Sequence, residues 1–256
     1  MSDYYSIPRA ANWNFDPKKK NNFKLSRSKL DLYMECPRCF YLDNRLGLKR
    51  PSGFPFNLNS AVDTLLKKEF DIHRAKRQAH PLMKKYKIEA VPADHEQLNV
   101  WRENFQGITY DHKETGLKIT GAIDDLWIDK QGKYIVVDYK ATSKDEVIKD
   151  INKPWQIGYK RQMEVYQWLL RQNGYKVADT GYFVYCNGRT DLEAFDAKLE
   201  FDISIIPYLG NDSWVEPAII KAYKCLKSNT LPKSSKNCDY CRYRSVVSKV
   251  EGHGSV

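Results

Sequence analysis

One stretch constrains this chain more than any other: residues 133–144, KYIVVDYKATSK. Ile135, Val136 and Val137 form an unbroken apolar run, which reads as a strand buried on both faces. Asp138, Tyr139 and Lys140 follow directly. Residues two apart in a strand point to the same face, so Asp138 and Lys140 sit side by side. An unpaired charge in a buried setting is costly. Either the strand emerges into solvent here, where an Asp–Lys pair contributes little, or the two residues belong to a metal site. In the second reading Asp138 binds a divalent cation, while Lys140 orients the attacking water and offsets phosphate charge.

The chain has 256 residues, enough for one large domain or two small ones, and its 42% hydrophobic content supports a sizeable core. Lys and Arg number 42 against 32 Asp and Glu, a formal net charge of +10. That excess favours a polyanionic partner, most simply nucleic acid, over the alternative of a merely solvated surface. No apolar run approaches the roughly 18–20 residues of a membrane span. The N-terminus, MSDYYSIPRAANWNF, lacks the basic-then-apolar pattern of a secretory signal, so a cytoplasmic setting is expected. There, six cysteines are more naturally thiols or metal ligands than disulfides. The polar or Gly-rich ends, 1–22 and 246–256, are expected to be flexible, with one domain over 23–245.

Ser26 and Ser28 are candidate N-caps of a helix through Met34, which should stop near Cys36 because Pro37 disfavours helical geometry before it. Cys36-Pro-Arg-Cys39 then offers two thiolates in one short turn. Asn57–Ser60 opens a second helix, with Asp63 expected in its first turn. There Asp63 either completes a capping box with Ser60 or serves as an oxygen ligand.

Residues 118–128 read as a strand and Asp129–Gly132 as a turn into the opening strand, together a hairpin. Gly121 within it marks a bulge or a close backbone approach. Asp124, across the hairpin from Asp138, falls at similar height, so Asp124, Asp138 and Lys140 can converge. Two close carboxylates repel, and a divalent cation relieves the repulsion. Asp125 points to the opposite face. Further on, Gln162 and Tyr166 share one helical face, in a helix ending at Asn173-Gly174.

These residues resemble the PD-(D/E)XK nuclease superfamily, its RecB-like branch in particular. The likeness rests on Gly121-x-x-Asp124, on Asp138-x-Lys140 within VVDYKAT, on Gln162-x-x-x-Tyr166, and on the helices around LSRSKLDLYMECPRCFYL and NSAVDTLLKKEF. It implies that Asp124, Asp138 and the carbonyl of Tyr139 bind Mg²⁺ or Mn²⁺. Lys140 would position water or stabilise the phosphate, and Gln162 and Tyr166 would support the site. The branch has a histidine ligand where this chain has Asp63, whose oxygen suits the same hard cations.

Thr180–Cys186 reads as a strand, Asn187-Gly188 as a turn, Asp191–Phe201 as a returning strand and Val215–Leu226 as a helix. Cys186 and Cys225 suit small core positions. Cys238-Asp-Tyr-Cys241 completes, with Cys36 and Cys39, a four-thiolate set for Zn²⁺ or an iron–sulfur cluster. The CRISPR-adaptation exonucleases and AddB-type nucleases, which this chain resembles, carry a [4Fe–4S] cluster on one early and three late cysteines. Here the division is two and two, with Val247 where a last cysteine would stand.

The expectation is therefore an α/β, restriction-endonuclease-like core: a central mixed sheet flanked by helices, its ends joined by a four-cysteine site. The expected activity is metal-dependent hydrolysis of nucleic acid, most simply DNA, in repair, recombination or defence. A helicase or recombination partner is the further association such a chain would have. The competing reading is a nuclease-like scaffold that binds nucleic acid or a protein without cutting.

Overall fold

The structure, a computed structural model, describes residues 14–19, 22–53, 57–146 and 148–252. The flexible ends expected from the sequence fall mostly on residues 1–13, 20, 21 and 253–256, which lie outside the described residues. In chain order the elements are β1 (Lys24–Ser26), α1 (Arg27–Glu35), α2 (Pro37–Leu46), α3 (Asn57–Ala75), α4 (Pro81–Lys85), β2 (Ala90–Pro92), α5 (Leu98–Trp101), β3 (Ile108–Asp111), β4 (Lys118–Gly121), β5 (Asp125–Asp129), β6 (Tyr134–Thr142), α6 (Ile157–Gln172), β7 (Thr180–Gly188), β8 (Phe201–Leu209), α7 (Val215–Lys227) and α8 (Asp239–Val250). They fall into two compact units, one drawn from Pro55–Tyr110 and Thr120–Asp212, the other from Met1–Phe54, Asp111–Ile119 and Ser213–Val256. Among the described residues no helix is long and apolar enough to cross a membrane.

The first unit holds a mixed sheet of order β2-β5-β6-β7-β8. β5 and β6 form the expected hairpin, with Asp125 opposite Val137. Its turn is held by Asp129, whose Oδ1 accepts the N–H groups of Gln131 and Lys133 at 2.9 and 2.8 Å. β7 runs parallel to β6, so the chain crosses over through α6 between them. β8 closes the sheet antiparallel to β7.

Strand β6 is buried on both faces, as its apolar run requires. Ile135, Val137 and Tyr139 pack with Leu66 and Phe70 of α3 and with Trp127 of β5. Full burial of each such side chain contributes about 1.5–3 kcal/mol. Strand β4, which is not part of this sheet, approaches α6 closely. A Cβ on Gly121 would lie 2.6 Å from a ring carbon of Tyr166. One on Gly107, where φ is +66°, would lie 2.5 Å from the Gly121 carbonyl oxygen. The close approach expected of Gly121 is thus present, and β4 ends there; the strand expected over 118–128 is broken between Gly121 and Asp125.

Two further expectations are corrected. The return after β7 is not a tight turn at Asn187-Gly188, and Asp191–Phe201 is not the returning strand. Strand β7 continues through Gly188, paired with Phe201, and β8 begins only there. Asn187 is occupied instead by bonds to Lys144, its Oδ1 accepting the N–H and its Nδ2 donating to the carbonyl, both at 2.8 Å. Helix α3 begins at Asn57, so Asp63 lies beyond the first turn and does not cap the helix.

The second unit is mainly helical, with β1 as a short strand. The Ser26 side chain caps α1 by accepting the Lys29 N–H, and α1 ends at Glu35 before Pro37. Pro37 then opens α2 at a position where its missing N–H costs nothing. Gly47, with φ of 76°, ends α2. Phe15 is buried against Phe23 and Tyr223 in edge-to-face contacts. Helix α8 runs on through Val250, past residue 245.

Gly121→Ala tests the packing of β4 on α6. The added methyl must displace a buried tyrosine ring, so a loss of about 1–3 kcal/mol and a fall of about 5 °C in Tm are expected by calorimetry. An unchanged Tm would show that the approach is slack.

Candidate active site and cysteine centre

Asp138 occupies the middle of β6 and is 0% exposed. Lys140 Nζ is paired with its Oδ2, and no hydrogen-bond donor reaches its Oδ1. Asp124, just before β5, lies beside it. Asp124 Oδ2 accepts the Tyr139 N–H at 2.8 Å, which fixes the carboxylate across the hairpin. Burial pushes the Asp138 carboxyl up to about 7, Lys140 opposes this, and the Asp124 charge adds to it. Lys140 is held above its usual range despite burial, by Asp138 first and Asp124 second.

Helix α3 brings a third carboxylate. Asp63 Oδ2 is 2.7 Å from Lys67 Nζ, one turn on, and the same ammonium lies 3.9 Å from Asp124 Oδ1. Lys67 therefore stands between two carboxylates. Burial and the Asp124 charge raise Asp63, while Lys67 lowers it. The Tyr139 carbonyl oxygen is 3.5 Å from Lys140 Nζ. From α6, Gln162 Nε2 donates to the Tyr166 hydroxyl at 3.1 Å, and that hydroxyl acts electrostatically on Lys140. Asp63, Asp124, Asp138, Tyr139, Lys140 and Tyr166 are thus brought together, and Gln162 joins through Tyr166.

Asp125 faces the other way and is also 0% exposed. It is neutralised from two sides. Arg74 pairs with its Oδ1, Arg102 Nη2 lies 2.7 Å from the same oxygen, and the Tyr139 hydroxyl donates to Oδ2 at 2.7 Å. Arg102 Nε also donates to the Asp124 carbonyl at 3.1 Å. This clamp holds the backbone from which Asp124 projects. Sequence reasoning did not anticipate Lys67 or Arg102, and it read Arg74 as part of a basic surface, whereas Arg74 is buried. Lys67 and Arg74 carried local signals, their i, i+4 and i, i+3 spacings from Asp63 and Asp71.

The four cysteines lie together in the helical unit, with all sulfurs within 4.8 Å of one another. Cys39 Sγ is 3.5 Å from both Cys238 and Cys241, and Cys36 Sγ is 3.8 Å from Cys241. Cys36 and Cys238 are the N-caps of α2 and α8, and Cys39 and Cys241 lie in the first turns. Helix N-termini favour thiolates. Burial disfavours ionisation of Cys36, but N–H groups of Ser235 and Cys39 bring it down to about 6. Arg50 Nη2 lies 3.5 Å from Cys238 Sγ. Four thiolates around one ion at about 2.3 Å would stand about 3.8 Å apart at the corners of a tetrahedron. The sulfurs present fit a metal ion.

The sequence matches the family model of the PD-(D/E)XK nuclease superfamily over residues 55–246, most of the chain. The chain belongs to this superfamily. Its α/β sheet flanked by helices is the superfamily's nuclease core, and its members use divalent metals. No curated protein matches the sequence. A solved structure described as "Crystal structure of SSO0001" is similar at 16% identity over 80% of this chain and 77% of that one, with a TM-score of 0.40. As in any PD-(D/E)XK protein the donor chemistry must suit a hard cation. It does here: carboxylate and carbonyl oxygens converge, and one buried carboxylate oxygen lacks a donor.

The raised Asp138 has a consequence for stability. Its carboxyl titrates near 4 in the unfolded chain. Between about pH 4 and 7 the folded state therefore holds a proton that the unfolded state has released. Without added divalent metal, stability should fall as pH rises through that window and level off above it. Asp138→Asn removes this titrating carboxyl, so in urea unfolding its stability should vary less between pH 4 and pH 8 than that of wild type. An equal pH dependence in wild type and variant would mean that Asp138 is not the group that titrates.

Proposed function

We propose that this chain is a divalent-metal-dependent nuclease of the RecB-like kind that hydrolyses phosphodiester bonds of DNA, in repair, recombination or defence. The observation that carries the reading is the buried Asp138 carboxylate, set between Asp124 and Lys140 with an oxygen left unpartnered. In this reading Asp124 and Asp138 hold Mg²⁺ or Mn²⁺, with the Tyr139 carbonyl as a further oxygen. Lys67 competes for Asp63, which makes Asp63 the weakest donor of the set. The cation, when bound, stabilises negative charge developing on the phosphate.

The chain's own groups do the rest. Lys140 donates to the attacking water or to a non-bridging phosphate oxygen and orients it in line. Asp138 keeps that ammonium in place. Tyr166, bonded to Gln162, bounds the site from α6 and limits where Lys140 can swing. The formal charge of +10 draws the DNA backbone without reading its sequence.

A second reading has one specific support. Lys67 already offsets the Asp63 and Asp124 charges without any metal, as a non-cutting scaffold would need. Cleavage of end-labelled single- and double-stranded DNA with Mn²⁺ or Mg²⁺ separates the two. Wild type should cut only with metal, and Asp138→Ala and Lys140→Ala should each lose at least about a hundredfold in rate. DNA binding without cutting, unaffected by either substitution, would leave the scaffold.

For the cysteine centre the sulfur spacing favours a single tetrahedral ion, and zinc is the ion we assign. An iron–sulfur cluster, which the resemblance to the cysteine-bearing nucleases suggests, would hold its thiolates on a larger frame. Elemental analysis of protein purified without oxygen should find about one zinc per chain and little iron, and Cys238→Ala should lose the metal and lower Tm. Iron with matching sulfide and visible absorbance would overturn the zinc assignment.

A further inference from the structure

Beyond Lys140 on β6 the sheet face does not close. Asp138, Lys140 and Thr142 share one face of the strand. Tyr185 of β7 stands in register with Lys140, so it lies on the same face. An open cleft of about 610 Å³ begins at Thr142 and Tyr185 and runs along the segment that leads into α6. Trp155 borders it and is 59% exposed. A tryptophan this open is uncommon and calls for a partner.

The ring sits on a rigid mount. Pro154–Gln156 form a single tight helical turn. Gln156 is buried, its Oε1 accepts the Lys153 N–H at 2.9 Å, and its side chain bonds Tyr185. Trp155 meets Tyr159 edge to face at 5.8 Å, and Lys140 Nζ lies over the Tyr159 ring at 4.7 Å. An aromatic path therefore leads from the candidate active lysine to the exposed indole. The rim charges cancel: Lys144, Lys149 and Lys153 face Asp145, Glu146 and Asp150. A rim with no net charge does not suit a phosphate backbone, which seeks a surplus of lysine and arginine. It suits a flat, neutral, polar-edged ring.

We propose that this cleft is a subsite for an unpaired nucleobase next to the scissile phosphate, with Trp155 as its stacking platform. This deepens the nuclease reading and rests on it for the position of the phosphate. Bases inside a duplex have both faces covered, so an indole reaches a base face only where the strand is single, frayed or flipped. The subsite therefore selects single-stranded nucleic acid or unpaired ends over intact duplex.

The test is binding, which needs no cutting. In the Asp138→Ala background, with the cysteine centre loaded, fluorescence anisotropy would follow a labelled single-stranded DNA 12-mer, the same length of closed-end duplex, and a 12-mer with abasic sites throughout. Replacing Trp155 by Ala should weaken single-strand binding about tenfold, leave duplex and abasic binding unchanged, and be largely rescued by Trp155→Phe. Unaltered single-strand binding, equal losses on single strand and duplex, or no binding of any oligonucleotide would overturn the subsite. Cleavage by otherwise native protein separates the two ideas. Metal-dependent cutting with Trp155 irrelevant to binding sinks the subsite alone. Trp155-dependent single-strand binding with no cutting sinks the nuclease alone.

Discussion

The sheet unit depends on one unfavourable act, the burial of the Asp138 carboxylate. A lone ion there would cost several kcal/mol, and the chain offsets it only in part. Lys140 supplies one opposite charge, but Asp124 brings another negative charge to the same place. The balance still leaves the carboxyl raised, so the folded protein without a divalent ion carries an unresolved electrostatic demand. A divalent cation beside the two carboxylates would relieve that demand, since it offsets both charges at once.

The neighbouring pair Asp124 and Asp125 shows what resolution looks like. Asp125 is as buried as Asp138, yet two guanidinium groups and a phenol hydroxyl satisfy it. It fixes β5 against α3 and the segment after α5, and nothing further is asked of it. Asp124, one residue earlier, projects to the other face. It receives one backbone N–H and a distant ammonium at 3.9 Å. Adjacent acids at the start of β5 thus divide into one carboxylate fully satisfied by the fold and one held by a single backbone N–H beside Asp138. The satisfied one aims the other, because Arg102 binds both the Asp125 side chain and the Asp124 carbonyl.

The parts legible in the sequence were those with short-range signatures. The apolar run of β6, the hairpin turn at Asp129–Gly132, the stop at Pro37 and the paired CxxC motifs each write their geometry into a few residues. So did Asp124, Asp138 and Lys140, because strand period and hairpin symmetry suffice to align them. Arg74 and Arg102 were not legible, since nothing near them in sequence announces a partner 51 or 23 positions away. The return strand after β7 was misplaced for a related reason. Asn-Gly is a strong local turn signal, but Asn187 found its hydrogen bonds across the chain at Lys144 and stayed in the strand. The capping reading of Asp63 failed because it set the helix start at Ser60, whereas helix α3 begins three residues earlier.

The two-and-two division of the cysteines also has a physical logic. Each CxxC places its first sulfur at a helix N-cap and its second in the first turn, so both pairs present the same short bite. Two equal bites facing each other offer four sulfurs without help from any later residue, and Val247 has no sulfur to supply. A metal there would join positions 199 to 205 residues apart. Closing a loop of that length in the unfolded chain removes entropy worth on the order of 5 kcal/mol. Helix α2 buries Phe40 and Tyr41 as well as Cys39, whereas Cys241 is the one buried residue of α8. A metal ion on the four sulfurs would tie α2 to α8, a link that the sheet unit, with its stacked Phe70, Trp127 and Tyr182, does not need.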